Sequence, residues 1–192
     1  MIVYHGTDSY SAQNIMEAGI DLARGEESVD NARGFYTTPS REFALRRARM
    51  TTAAVGKFRK DATLRPAVLE IEIDGDALKK LNVLEFTGTT YQWKEFVFYN
   101  RAGKRFLRSQ GIVSSNHNLD LVYDVVIDET ADAGVGGLVS NFRYKETRGG
   151  IDLRTAINKV QRSNSSTWGR QMSFHTSRAV KMCIKSIRSV DV

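Results

Sequence analysis

The sequence predicts an α+β fold, and three observations carry that prediction. Residues 67–73 and 171–176 alternate apolar with polar side chains, the period of two expected of a strand with one covered face. Residues 91–108 and 151–160 repeat apolar side chains at helical spacing instead, with Trp93, Phe96 and Val97 in the first and Ile151, Leu153, Ala156, Ile157 and Val160 in the second. The length, 192 residues without internal repeat or low-complexity tract, suits a single domain spanning 1–192. A chain of this size buries about 70% of its unfolded surface, enough for a real core.

The chain opens with a short apolar strand over 2–5 ending at Gly6, then a helix over 10–18 closed by Gly19. Residues 21–34 are polar, contain Gly25 and Gly34, and read as a loop. A β-prone stretch over 35–38 stops at Pro39, and Ser40 caps an Arg- and Ala-rich helix reaching about Met50. The strand over 67–73 sets Val68, Glu70 and Glu72 against Leu69, Ile71 and Ile73, and turns at Asp74-Gly75. One or two helical turns follow over 76–81, then a short strand over 83–86, the helix over 91–108 and a buried strand over 123–127. The Gly-rich piece 134–137 opens a looser region before the helix over 151–160. Residues 162–169 form a polar loop, 171–176 a strand, and 179–187 a closing helix or strand.

Composition excludes collagen-like, disulfide-scaffold and strongly disordered classes, with 41% apolar and 26% charged residues. The formal charge of +6, from 28 Lys and Arg against 22 Asp and Glu, invites a polyanionic partner. Residues 133–192 hold 11 of those cations and 3 of the acids, leaving 17 against 19 upstream. A second basic stretch, 41–60, carries Arg41, Arg46, Arg47, Arg49, Lys57, Arg59 and Lys60 against Glu42, and a solvated helix face is its plainer reading. The one cysteine, Cys183, excludes an internal disulfide and reads as a buried, inert thiol. His5, His117 and His175 lack the close acidic or thiol companions of a zinc site, so no metal is expected. Without a charged leader or a run of about 18 apolar residues, the expectation is no membrane span and a cytoplasmic location.

Familiar nucleotide motifs are missing: Gly134-Val135-Gly136-Gly137 has the wrong spacing for a dinucleotide fingerprint, and neither a phosphate loop nor a Gly-x-Ser-x-Gly elbow occurs. Tyr4-His5-Gly6-Thr7 is more informative. A histidine at a strand end can aim its ring nitrogens into a cleft, while Gly6 lets a ligand touch the backbone. Gly34-Phe35-Tyr36-Thr37-Thr38 then puts Phe35 and Tyr36 on opposite faces, so Tyr36 can serve the same cleft as a stacking platform. Each piece alone also reads as an ordinary strand.

Together, in this order, the two pieces resemble the nicotinamide-binding motifs of the ADP-ribosyltransferase superfamily, in its His-Tyr-Glu branch. The chain resembles more closely an uncharacterised bacterial family of unknown function in that superfamily, nearly end to end. The resemblance includes Trp93-x-x-Phe96-Val97-x-x-Asn100-Arg101, Tyr123-Asp124-Val125-Val126-Ile127, Ala131-Asp132 and Gln171-x-x-Phe174-x-Thr176-x-x-Ala179. Two departures stand out. Asp128, followed by Glu129, replaces the glycine that such relatives carry after the Tyr-Asp strand, adding acid near the cleft. The usual Asp-Phe-Gly-x-Gly lead into the tyrosine strand is here Asp30-Asn31-Ala32-Arg33-Gly34.

The resemblance implies a split β-sandwich with flanking helices and NAD as substrate, bound bent in a cleft by His5, Gly6, Thr7, Gly34 and Tyr36. It implies that the Gly6 backbone holds the nicotinamide amide, His5 bonds the adenosine-side ribose, and Tyr36 stacks on the nicotinamide ring. Loss of nicotinamide leaves a cation-like ribose, so a third polar residue must orient ribose hydroxyls and favour positive charge. Two residues compete for that catalytic place. Glu95 imitates the glutamate of the superfamily's polymerases but falls within a helical pattern, whereas Gln171 opens an alternating stretch and is preferred. Glutamine cannot act as a general base near neutral pH, so Glu95, Asp128, Glu129 and Asp132 remain as bases, with His175 on the face of Gln171.

The expected function is an NAD-dependent ADP-ribosyltransferase toxin, in a toxin-antitoxin or phage-defence setting or as a delivered effector. RNA is the favoured acceptor, with protein close behind, and an antitoxin is an expected partner. The basic C-terminal third, with Phe142, Tyr144, Trp168 and Phe174 among its cations, is where nucleic acid would bind. The other readings are a protein-targeting transferase, an NAD glycohydrolase, and a non-catalytic nucleic-acid-binding or antitoxin-binding module of the same fold.

Overall fold

In the computed structural model, which describes residues 1–26, 28–112, 117–132, 134–146, 152–163 and 169–191, the chain is mixed α+β around two sheets. The first sheet orders β1 (Ile2–Asp8), β3 (Pro66–Ile73) and β7 (Ile184–Val190), all antiparallel. The second orders β2 (Phe35–Thr37), β6 (Arg170–Phe174), β5 (Val125–Glu129) and β4 (Val83–Glu85), with only β4 and β5 parallel. Strand alternation turns Val3, Leu69, Ile71 and Ile73 of the first sheet towards Phe35, Val125, Met172 and Phe174 of the second, and these meet in one apolar cluster with Cys183. Polar residues of β6 alternate onto the opposite face, so Gln171, Ser173 and His175 point away from that core.

Helices cover the two outer faces. On the first sheet lies α2 (Arg41–Arg59), packing Ala44 and Ala48 against Tyr4 and Val68. On the second, α4 (Tyr91–Ala102) gathers α5 (Lys104–Ser109), α6 (Val135–Glu146) and α7 (Leu153–Asn158) around a second core that includes Trp93, Phe98, Phe142 and Ile157. Shorter elements complete the chain: α1 (Ser9–Ala18) after β1, α3 (Gly75–Leu78) after β3, and α8 (Ser177–Cys183) before β7. Asp8, Ser40, Thr90, Asp152 and Thr176 cap α1, α2, α4, α7 and α8, each side chain accepting the backbone N–H three residues on, worth about 1 kcal/mol apiece.

The predicted elements are present with four corrections. The Ser40-capped helix runs on to Arg59 rather than stopping near Met50, because its inner positions Thr51, Thr52 and Val55 stay half-covered until Lys60 turns left-handed at φ 55°. The single helix over 91–108 is two, broken at Gly103, whose φ of 78° no helix allows. The expected looser region at 134–137 begins a helix instead, since Val135, Val139 and Phe142 recur on one side and bury in the second core. The closing segment is both alternatives in succession, α8 then β7. Ile151 and Trp168, with most of the polar loop, lie outside the described residues. Among the described residues no helix is long and apolar enough to cross a membrane, and no group of three or more His, Cys, Asp or Glu could hold a metal ion.

Candidate functional site

The two sheets touch and then separate at one place. Tyr4 and Thr38 form an antiparallel bridge, Tyr4 N–H donating to the Thr38 carbonyl at 2.7 Å and Thr38 N–H returning at 2.9 Å. Continued by two residues, that ladder would set Gly6 opposite Tyr36, yet the bridge stands alone and β1 and β2 part. Alternation directs the N–H and C=O of Gly6 to the same edge that Tyr4 uses, into the gap. His5 spans the gap instead: its Nδ1 lies 2.7 Å from the Tyr36 carbonyl oxygen, and its ring stands 4.4 Å from that of Phe35. A carbonyl only accepts, so Nδ1 carries the proton. Burial holds the His5 pKa below the ordinary 6.5, with the Arg47 guanidinium adding to the effect and the Tyr36 bond opposing it. At neutral pH the ring is therefore neutral, and Nε2 is a bare acceptor.

Tyr36 is held from behind. Its hydroxyl donates to the Ala32 carbonyl at 2.6 Å and accepts from Asn31 N–H at 3.0 Å, and its ring meets His175 edge-on at 6.4 Å. Burial raises the phenol's pKa well above 10, with the Asp30 charge assisting, so the hydroxyl stays protonated. His175 is almost wholly buried, with Nδ1 donating to the Arg33 carbonyl at 2.7 Å and Nε2 accepting from Ser173 Oγ at 2.9 Å. Burial lowers its pKa to about 4, which keeps the neutral tautomer those contacts need. Gly34 is required here, since a Cβ on it would lie 2.7 Å from His175 Nδ1.

Behind this wall Asp128 is fully buried. Oδ1 accepts from Asn31 Nδ2 at 2.9 Å and Oδ2 from Trp93 Nε1 at 3.0 Å, while Asn31 Nδ2 also reaches Ser173 Oγ at 2.9 Å. Burial pushes the Asp128 carboxyl up to about 7, against the restraining bonds from Asn31, Trp93 and Gln171. Gln171 is its ladder partner and lies beside the carboxyl, yet Nε2 forms no well-aligned hydrogen bond with any described residue. Beyond Asn31, Asp30 binds Arg101 through Nε and a terminal nitrogen at 2.7 Å each, and accepts from Ala131 N–H at 3.3 Å. Asn100 Nδ2 donates to the Asp30 carbonyl at 3.0 Å. Across the sheet, Asp124 Oδ1 accepts from the Thr176 hydroxyl that caps α8. The separate sequence motifs around Trp93, Asn100, Arg101, Tyr123, Ala131 and Gln171 thus come near one another, most of them around Asp30 and Asn31 in the loop that leads into β2 and Tyr36.

The structure brings His5, Gly6, Gly34 and Tyr36 together, with Gln171 on the face of Tyr36 and Thr7 buried farther along β1. Gly6 has a second duty, since a Cβ there would fall 1.8 Å from the Ala44 carbonyl oxygen of α2. Glu95 sits on α4, not on a strand, accepting from the Tyr99 hydroxyl at 3.4 Å, and its charge joins burial in raising the Tyr99 pKa to about 12. The other acids expected near the cleft are engaged: Asp128 lies sealed in the wall, Glu129 faces Arg162 at 3.9 Å, and Asp132 accepts from Gly134 N–H at 2.7 Å. The role of Asn31 at the centre of this network gave no sequence signal, because a loop residue contacting partners 97 and 142 positions away has no periodicity to betray it. A depression of about 350 Å³ lined by Asp132, Lys159 and Gln161 lies apart from His5, Gly6, Gly34, Tyr36 and Gln171, none of which lines it.

The model of a protein family of unknown function, DUF3990, matches residues 1–185, and the chain belongs to that family. No curated protein and no solved structure matches it.

Proposed function

We propose that this chain is an NAD-dependent ADP-ribosyltransferase with the split β-sandwich of that superfamily, folded as one domain over 1–192. The observation that carries the reading is the parting of β1 and β2 at Gly6 and Tyr36, with His5 reaching across it. NAD would supply the ADP-ribosyl group and nicotinamide as leaving group. The unused polar groups at the gap match the needs of such a substrate. The Gly6 edge offers one donor and one acceptor to a carboxamide; neutral His5 Nε2 accepts from a ribose hydroxyl; the Gln171 amide, on the face of Tyr36 beside the Asp128 carboxyl, has a second N–H for another hydroxyl. Tyr36, pinned through its hydroxyl, offers a ring that needs no ordering when substrate arrives, which limits the entropic cost of binding.

Transfer to RNA, in a toxin-antitoxin or phage-defence setting, is the preferred form of the activity. Gln171 cannot deprotonate an acceptor, so the acceptor must be intrinsically nucleophilic or bring its own base. Incubating the protein with NAD labelled in the adenylate, alongside total RNA and protein, separates the readings. Label on RNA supports the proposal, label on protein moves the acceptor to protein, and free ADP-ribose alone makes the protein a glycohydrolase. No nicotinamide release, or release that survives His5→Ala and Tyr36→Ala, sinks the enzymatic reading.

A further inference from the structure

In the C-terminal third, where the sequence directs a search for a polyanion, Arg162, Arg170, Arg178, Lys185 and Arg188 already face Glu129, Glu85, Asp124, Asp74 and Glu70. Arg47 on α2 is different. It is exposed, and among the described residues its guanidinium has no hydrogen bond and no carboxylate at ion-pair distance.

The phase of α2 sets where that guanidinium lies. Ala44 and Ala48 face the first sheet, packing with Tyr4 of β1 and Val68 of β3, and their backbone closes over Gly6. Leu45, on one flank of that face, joins the same cluster, as does Val190 of β7, so this flank lies towards β3 and β7. Arg47 is on the other flank, with Met50 and Ala54 on the next turns, within an arc of about 60° at about 3.6 residues per turn. Because β1 is the edge of its sheet, the Arg47 flank overhangs the free edge of β1, the edge from which β2 parts. Desolvation lowers the His5 pKa most, and the Arg47 guanidinium lowers it further, which agrees with a cation beside the gap. The acids behind Tyr36 are engaged elsewhere, Asp30 by Arg101 and Asp128 by Asn31 and Trp93.

We propose that Arg47 is the diphosphate-binding residue of the gap, its guanidinium fork taking two phosphate oxygens of the ADP portion of the dinucleotide. Gly6, His5, Tyr36 and Gln171 offer only uncharged groups at neutral pH, so Arg47 is what lets the gap tell a dinucleotide from nicotinamide or adenosine alone. His5 Nε2, an acceptor, suits the adenosine-side ribose, and the diphosphate is esterified to that same ribose. A guanidinium is always charged and meets two phosphate oxygens at once, which an ammonium does not. That the diphosphate belongs to NAD rests on the transferase reading; that a phosphate group binds at Arg47 does not.

The test titrates the full chain and Arg47→Gln with ADP-ribose by calorimetry at pH ~8, where His5 is neutral in both. Loss of charge-assisted bonds to phosphate should leave the variant about 10-fold weaker, while adenosine, which lacks the diphosphate, should bind both alike. Arg47→Lys, which keeps the charge without the fork, should recover part of the loss. Arg49→Gln, on the solvent side of α2, should match the parent. Because Arg47 is exposed, an unchanged melting temperature is expected in Arg47→Gln and separates a lost contact from a lost fold. Unchanged ADP-ribose affinity in Arg47→Gln overturns the assignment, as does an equal loss for adenosine. If ADP-ribose 2′-phosphate binds the parent more tightly than ADP-ribose and Arg47→Gln abolishes the difference, the guanidinium serves the 2′-phosphate and the diphosphate contact is overturned. If ADP-ribose affinity falls as expected but the parent releases no nicotinamide from NAD, the transferase reading fails and the site stands. If nicotinamide is released and the variant binds ADP-ribose as the parent does, the site fails and the reading stands.

Discussion

Asp128→Asn should change how stability depends on pH more than it changes stability at any one pH. In the folded protein the carboxyl titrates at about 7 against an ordinary 3.8. A raised acid stabilises the fold fully below its unfolded pKa and loses that contribution as pH climbs through the folded value, here about 4 kcal/mol between pH ~4 and ~7. His175 works the other way: depressed from 6.5 to about 4, it contributes above pH 6.5 and loses about 3 kcal/mol as pH falls through 4. Across that shared interval the two nearly cancel, so the parent should vary little while Asp128→Asn should gain about 3 kcal/mol from pH ~4 to ~6.5. Half-buried His5, shifted in the same direction as His175, adds to the rise. Near neutrality the variant loses one well-oriented acceptor for Asn31 or Trp93, about 1–3 kcal/mol, partly offset by removal of a buried charge. Urea unfolding at half-unit pH steps, read by tryptophan fluorescence, gives both curves, and their difference cancels the exposed carboxylates. Parallel curves would refute the buried, raised carboxyl.

Tyr36→Phe removes both hydroxyl bonds and should lower stability by about 1–3 kcal/mol in urea while keeping nicotinamide release within a few-fold, whereas Tyr36→Ala should lose release altogether. Equal loss in the two would show that the hydroxyl, not the ring, matters. Gly6→Ala must move α2 backbone to clear the 1.8 Å approach, so a drop above about 3 kcal/mol or failure to fold is expected; an unchanged melting temperature would disprove the close packing. Gln171→Ala should depress nicotinamide release more than Glu95→Ala, and full activity in the former would overturn the choice of Gln171.

What the sequence made legible was set by periodicity. The 67–73 and 171–176 alternations name the sides that become core, and even place Gln171, Ser173 and His175 together. What it hid depended on tertiary packing overriding local preference. Gly136 and Gly137 argue against a helix, each at about 1 kcal/mol, but burial of Val135, Val139 and Phe142 is worth more, about 1.5–3 kcal/mol per side chain. At Gly103 the misreading had a visible signal, a glycine at the end of an apolar run, which the in-phase Leu107 disguised. His5 and Tyr36 could be paired from their motifs, but the gap between them could not, because it arises where a ladder fails to continue. The charge of the C-terminal third was visible as a count; only the structure shows Arg162, Arg170, Arg178, Lys185 and Arg188 facing carboxylates from the first 132 residues.

Under the proposed transferase reading, Gln171 stands where the superfamily's polymerases carry a glutamate, and the Asp128 carboxyl stands directly across the ladder from it. Fully buried Asp128 cannot take a proton from an acceptor, so it offers no general base. It can still act through its charge. Inside the wall a carboxylate is screened far less than one in water, and next to Gln171 it would favour positive charge on a bound ribose as nicotinamide leaves. The bonds from Asn31 and Trp93 fix its position without neutralising it, and its titration near 7 makes the charge conditional. If that charge assists, nicotinamide release should rise through pH ~7 in the parent and stay flat in Asp128→Asn over the range where both remain folded. If Gln171 acts only by holding a hydroxyl, the two profiles should have one shape and differ only in height.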